Sequence, residues 1–195
     1  MNMTDSFKIV TAASHQEFED AQTLFQEYAN EINFDAGFKN FQAELDSLIT
    51  LYNFPDGFLL LGYMGDKAAG CIAVLKMQSG IAELKRFYVK PDFRRFKMGA
   101  KLLEAAISNA RSLHFEHLRL EVIPSLTKAK ELYRSFGFYP IEAYRQPSLA
   151  GTAYMEKKLT DELIPTVRDL YDPNTRLLEK NKIPSCRHIS SDLWN

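Results

Sequence analysis

Between Val89 and Leu103 the chain reads Val-Lys-Pro-Asp-Phe-Arg-Arg-Phe-Lys-Met-Gly-Ala-Lys-Leu-Leu, setting a strand end, a basic turn and a helix start in immediate succession. The chemistry such a run offers is anion binding. The first turn of a helix has N–H groups without intrahelical acceptors and a partial positive charge, and a tight turn before it aims further N–H groups at the same point. Gly99 lets a ligand approach the backbone closely, while Arg94, Arg95 and Lys97 bring cations within reach of phosphate oxygens. A pyrophosphate suits that geometry. Taken alone, the same residues also fit a solvated basic face around a capped helix. Other polar residues offer less. His114 and His117 stand near a helix end with no cysteine or carboxylate at ligand spacing, so no metal site is expected. Ser125 lacks the glycine-rich elbow of a hydrolase nucleophile.

The elements that must position this turn can be read from periodicity. Phe7 to Ala12 alternates as a short strand, and Ser14 with Glu17 forms a capping box for a helix whose apolar positions run Phe18, Ala21, Leu24, Phe25, Tyr28, Ala29 and Ile32. After a break at Asp35 to Gly37, Phe41, Leu45, Leu48, Ile49 and Tyr52 repeat the pattern, which Pro55-Asp56-Gly57 ends. Two helices are thus expected before the main strands. Three strand-like runs follow at hairpin spacing: Phe58 to Met64, Gly70 to Met77 and Ile81 to Val89. Beyond Pro91, a helix from Gly99 to Leu113, a strand from Leu118 to Ile123 and a helix from Leu126 to Phe136 with Gly137 as its cap imply a right-handed parallel crossover. Thr152 to Leu159 reads as a last strand. The expected architecture is α/β, a mixed and mostly antiparallel sheet with helices on both faces.

Composition narrows the setting. A chain of 195 residues with 46% hydrophobic and 25% charged residues can bury one core and is short for two domains. A net charge of -1 provides no general attraction to nucleic acid or an anionic membrane, and the longest apolar run, Phe58 to Leu61, is far below a bilayer span. Cys71 and Cys186 do not make a disulfide framework, so a reducing cytoplasm is the expected compartment. Residues 1–159 form the expected domain. From Thr160 on, Pro165, Pro173 and Pro184 interrupt a charged segment, which we take as an extension suited to covering a sheet edge or a second copy in a homodimer.

Val89, Pro91, Arg94, Gly99 and Leu102-Leu103 resemble the cofactor motif of the GNAT N-acetyltransferase superfamily. Lys97 departs from it, standing where the family usually has its first glycine. A second match follows in order and spacing: Leu118, Leu120, Val122, Ala129, Leu132-Tyr133 and Gly137-Phe138, with Leu126 in place of the usual asparagine. Two motifs in sequence are much harder to obtain by chance than one. The resemblance covers roughly Phe7 to Leu159 and implies a GNAT-like acyl-CoA N-acyltransferase fold.

It also implies acetyl-CoA as co-substrate and an amine of a small molecule or peptide as acceptor. The cofactor would lie along Phe87, Tyr88 and Val89, then the turn of Arg94, Arg95, Phe96, Lys97, Met98, Gly99 and Ala100, with Ala129 from the later helix. Backbone N–H groups of Phe87 to Val89 would polarise the thioester carbonyl. An amine with a pKa of about 10 needs a base, and Glu83, six residues before Val89, is the candidate. As a hairpin residue Glu83 fits a solvent-facing place equally well. Tyr133 matches the family tyrosine that protonates the leaving sulfur, although it also fits the apolar face of its helix. Lys85 and Arg86 suit contacts to an acidic acceptor or a place on the rim. Tyr28, Tyr144 and Tyr154 suit the acceptor groove or the core. The departures at Lys97 and Leu126 keep open a module that binds acyl-CoA with little or no turnover.

Overall fold

The computed structural model describes residues 7–32, 41–147 and 149–159. The expected extension from Thr160 onward lies outside the described residues, as does the break at Asp35 to Gly37. Chain order runs β1 (Phe7–Thr11), α1 (His15–Glu31), α2 (Phe41–Asp46), α3 (Leu48–Leu51), β2 (Gly57–Met64), β3 (Lys67–Gln78) and β4 (Ile81–Val89). A 3-10 turn over Pro91–Phe96 then leads to α4 (Met98–Ser112), β5 (His117–Val122), α5 (Thr127–Ser135), β6 (Tyr139–Ile141) and β7 (Ala153–Lys158).

The strands make one seven-stranded sheet in the order β1-β2-β3-β4-β5-β7-β6. Its neighbours are antiparallel except for β4 and β5. Both faces are covered, and β2 shows this residue by residue. Phe58 and Leu60 belong to the core under α4 and α5, while Leu59 and Leu61 belong to the core under α1 to α3. Burial on both sides replaces alternation with a continuous apolar run. α1 starts as expected, with the Ser14 side chain accepting from Glu17 N–H and Glu17 accepting from Ser14 N–H.

The second expected helix is broken into α2 and α3. Ser47 lies between them, and its hydroxyl donates to the Ala43 carbonyl. Such bonding by serine competes with the helical ladder and bends helices, and Ser47 itself leaves the helical conformation, with φ -122° and ψ 19°. β6 was absent from the periodic pattern because it has three residues, one of them Pro140. Among the described residues no helix is long and apolar enough to cross a membrane.

Candidate active site

The sheet opens where chemistry was expected. β4 pairs with β5 only from Ile81 opposite His117 to Glu83 opposite Arg119. Beyond that point β4 stays with β3 as far as Val89 opposite Gly70, and β5 stays with β7 as far as Val122 opposite Ala153. Two strands that start paired and then follow different partners leave a wedge between them.

Along the wedge β4 is irregular. Lys85 faces Ala73 and Tyr88 faces Cys71, so Arg86 and Phe87 together stand opposite the single residue Ile72. This is a β-bulge, which frees a residue from the ladder and re-aims its neighbours. Arg86 has φ 52°, and its carbonyl accepts from the Cys71 thiol at 3.3 Å. A trans peptide sets N–H opposite C=O. The Phe87 N–H therefore points away from the Cys71 thiol, at a residue that has no register partner on β3 and lies beyond the last pair with β5.

Past the bulge the chain enters the basic turn. Lys97 ends the 3-10 segment and caps α4 in a left-handed conformation, φ 58°. That conformation is natural to glycine, which explains physically what a glycine would do at this position. The first helical bond of α4 runs from Lys101 N–H to the Lys97 carbonyl at 3.2 Å, so the N–H groups before it lack intrahelical acceptors. Arg95, Phe96 and Lys97 are exposed, Met98 is fully buried, and Gly99 and Ala100 are half-buried. The exposed cations and open helix end fit a pyrophosphate. Arg94 is already engaged: its Nε donates to the Val89 carbonyl at 2.8 Å and its guanidinium pairs with Glu31 of α1 at 2.6 Å. It braces the turn against α1. Among the described residues Arg95 and Lys97 have no ion pair.

The two proposed catalytic residues lie on opposite faces of β4. Tyr133 belongs to the core under α4 and α5, with ring centroids 5.8 Å from Phe87 and 5.6 Å from Phe138. A β-carbon on Gly99 would come within 3.3 Å of the Phe87 ring and 3.7 Å of Leu132, so Gly99 packs directly against this cluster. Ala129 packs at its edge. Burial, and then the Tyr28 phenol, push the Tyr133 hydroxyl well above the ordinary tyrosine range. It is therefore protonated at any physiological pH.

Glu83 is flanked by Ala82 and Leu84 of that same core, so its side chain faces the other way. It is 5% exposed, which removes the solvent-facing alternative. The hydroxyl of Tyr144 donates to it at 2.9 Å, and Arg145 donates through two nitrogens at 2.5 and 3.2 Å. Arg145 also reaches Glu121 of β5 at 3.1 Å. The guanidinium carbons of Arg119 and Arg145 lie 5.6 and 5.3 Å from the Tyr144 ring centroid, and Tyr144 meets Tyr154 edge-on at 4.8 Å. Burial and the Glu83 charge push Tyr144 well above the usual tyrosine range. Desolvation works against the charge on Arg145, but Glu83 and Glu121 outweigh it and raise its pKa. Tyr28 faces Tyr88 at 5.9 Å from α1.

Arg86 is no rim charge. Its side chain is 9% exposed and forks onto Glu44 of α2, Nε to Oε1 at 2.9 Å and the terminal nitrogen to Oε2 at 2.6 Å. Lys85 stands 3.9 Å from the same carboxylate. Sequence reasoning missed Glu31, Glu44, Glu121 and Arg145. Only Glu121 left a trace, because it alternates with Leu118, Leu120 and Val122 and so shares the face of Glu83.

A mixed sheet that splays beside a bulge, with a basic turn and a helix N-terminus at its mouth, is the arrangement that the resemblance to acyl-CoA-dependent acetyltransferases led us to expect. Comparison with known proteins agrees: the Acetyltransferase (GNAT) family model matches residues 18–138, and the chain belongs to that family. An uncharacterized N-acetyltransferase of Schizosaccharomyces pombe is 32% identical over 147 residues, 74% of this chain and 90% of that protein. Among solved structures, a GNAT-family acetyltransferase of Staphylococcus aureus superposes with TM-score 0.69 at 20% identity, over 80% of this chain and 100% of that one. A Salmonella typhimurium protein solved with its cofactor acetyl-CoA superposes at 0.59 and 15% identity, over 83% and 98%.

Proposed function

We propose that this chain transfers an acetyl group from acetyl-CoA directly to a primary amine of a small molecule or peptide. The observation that carries the reading is the wedge between β4 and β5, which has the basic turn at one end, Glu83 at the other and Tyr133 at its side. Acetyl-CoA, when bound, supplies an activated acyl carbon and a leaving thiolate. The residues of the chain do the rest.

The helix end at Met98 to Ala100, with Arg95 and Lys97, holds the pyrophosphate. Phe87 N–H donates to the thioester carbonyl, where negative charge develops as the amine attacks. A new N–C bond forms and the C–S bond breaks. The proton leaving the amine passes to Glu83, directly or through water, and the departing sulfur takes a hydrogen bond from Tyr133. Burial raises the Tyr133 pKa, so the hydroxyl carries its proton and can give it to the leaving sulfur.

Glu83 is bound to Arg145 and Tyr144, so the late loop must yield one of these contacts before the acceptor can use the carboxylate. Residues 1–159 constitute the catalytic unit in this proposal, and the cytoplasm its compartment.

The test is thiol release from acetyl-CoA over a broad amine panel, run with Glu83→Gln and Tyr133→Phe. Turnover on at least one amine, with both variants slowed by about 100-fold, is expected. No turnover on any amine, combined with no shift in melting temperature on adding CoA, sinks the proposal; a shift without turnover leaves the non-catalytic acyl-CoA-binding module in its place.

A further inference from the structure

The bulge in β4 must be held open, because nothing in an antiparallel pair requires an extra residue. The surroundings of Arg86 hold it. Arg86, the residue that makes the bulge, has φ 52°, a region that L side chains rarely adopt. Its side chain is buried and bound in a fork by Glu44 of α2. Glu44 in turn accepts the Tyr52 hydroxyl at 2.5 Å, from the residue that ends α3. The ring of Phe41 lies 5.0 Å from the guanidinium carbon. Burial alone would raise the Glu44 carboxyl, but Arg86, with Lys85 and Tyr52 adding, brings it below the usual carboxylate range. The ion pair is therefore charged at neutral pH.

We infer that Glu44, steadied by Tyr52, is a positioning residue for acetyl transfer: by fixing Arg86 it fixes the Arg86–Phe87 peptide, and so the aim of the Phe87 N–H at the thioester carbonyl. This rests on the function proposed above and goes beyond it. Glu44 touches neither co-substrate in this account. A bidentate fork specifies orientation as well as attraction, and a peptide whose carbonyl is already turned onto Cys71 needs only its Cα held to keep the N–H direction. The segment that precedes β2 thereby becomes part of the catalytic machinery on the far side of the sheet from Tyr133.

The experiment reads the carbonyl stretch of carbonyl-13C acetyl-CoA bound to the full chain, alongside steady-state kinetics with an amine found active. In the native protein the band should lie below its position in solution. In Glu44→Gln it should move at least half-way back, with kcat down about tenfold or more and the KM for acetyl-CoA within about threefold. Tyr52→Phe should show a smaller change of the same kind. Adding Arg86→Gly to Glu44→Gln should restore much of both signals, because glycine adopts the left-handed conformation without an ion pair. A lower melting temperature alone cannot produce that pattern. The inference is overturned if Glu44→Gln leaves the band at the native position, or if kcat falls and Arg86→Gly recovers nothing. A native protein that binds acetyl-CoA without shifting its carbonyl overturns the inference but leaves the transferase reading. Failure to bind acetyl-CoA at all overturns both.

Discussion

Lys97 adopts φ 58° at the junction of the basic turn and α4. A β-carbon in that region costs about 1 kcal/mol, so Lys97→Gly should stabilise the protein by about that amount in urea unfolding. The same substitution removes a cation from the proposed phosphate site, and CoA affinity should fall most at low salt, as measured by titration calorimetry. Stability and affinity therefore separate at one residue. Tyr133→Phe should leave the melting temperature nearly unchanged, since no hydrogen bond to its hydroxyl is made among the described residues, yet lower kcat about 100-fold at unchanged KM for acetyl-CoA. Equal losses of stability and rate would mark Tyr133 as core alone. At this scale the sequence put forward the turn, Glu83 and Tyr133 as candidates, because the motifs that carry the resemblance are local runs of residues. It was silent about Arg145 and Glu44, which reach Glu83 and Arg86 over separations of 62 and 42 residues. No periodicity encodes such partners.

β4 was legible from end to end, Ile81 to Val89, but its bulge was not read from the pattern. The trace is a slip of phase: Ala82 and Leu84 share one core face, and the next residues on it are Phe87 and Val89. Three positions separate Leu84 from Phe87 where a regular strand needs an even number. The partner strand must also let β4 approach. A β-carbon on Gly70 would stand 2.8 Å from the Tyr88 carbonyl oxygen and 3.1 Å from a Val89 methyl. Gly70→Ala should therefore push β3 from β4 at the strand end that feeds the basic turn, costing about 1–3 kcal/mol. Urea unfolding gives the loss, and the KM for acetyl-CoA should rise with it. An unchanged KM would mean the turn keeps its shape independently of β3. Broken helices escape sequence reading for a related reason: Phe41, Leu45, Leu48 and Tyr52 keep helical spacing across Ser47, although the helix itself stops there.

Over the whole molecule, the buried carboxylates set the response to acid. Glu44 and Glu156 are both taken from water, which alone would raise their pKa values, and both are brought below the usual 4.5 by partners: Arg86 for Glu44, and Tyr139, Arg119 and His117 for Glu156. A depressed folded pKa contributes stability that is complete above 4.5 and is lost as pH falls through the folded value. The melting temperature should thus drop from about pH 4.5 downward, and Glu156→Gln should reduce that slope while lowering stability at neutral pH. Fold class, sheet order near the site and the two-faced core followed from runs and hairpin spacings, whereas the insertion of β7 between β5 and β6 depends on contacts that no local pattern reports. The parting of β4 from β5 carries a consequence of its own. It gives the protein a sheet edge in its interior, and such edges ordinarily invite another polypeptide to pair. Here the two strands converge on a closed apex at Glu83 and Arg119, so the free edges face each other across a wedge that narrows to a paired end. In the function proposed above, the amide-bearing arm of coenzyme A is the chain that would complete this ladder.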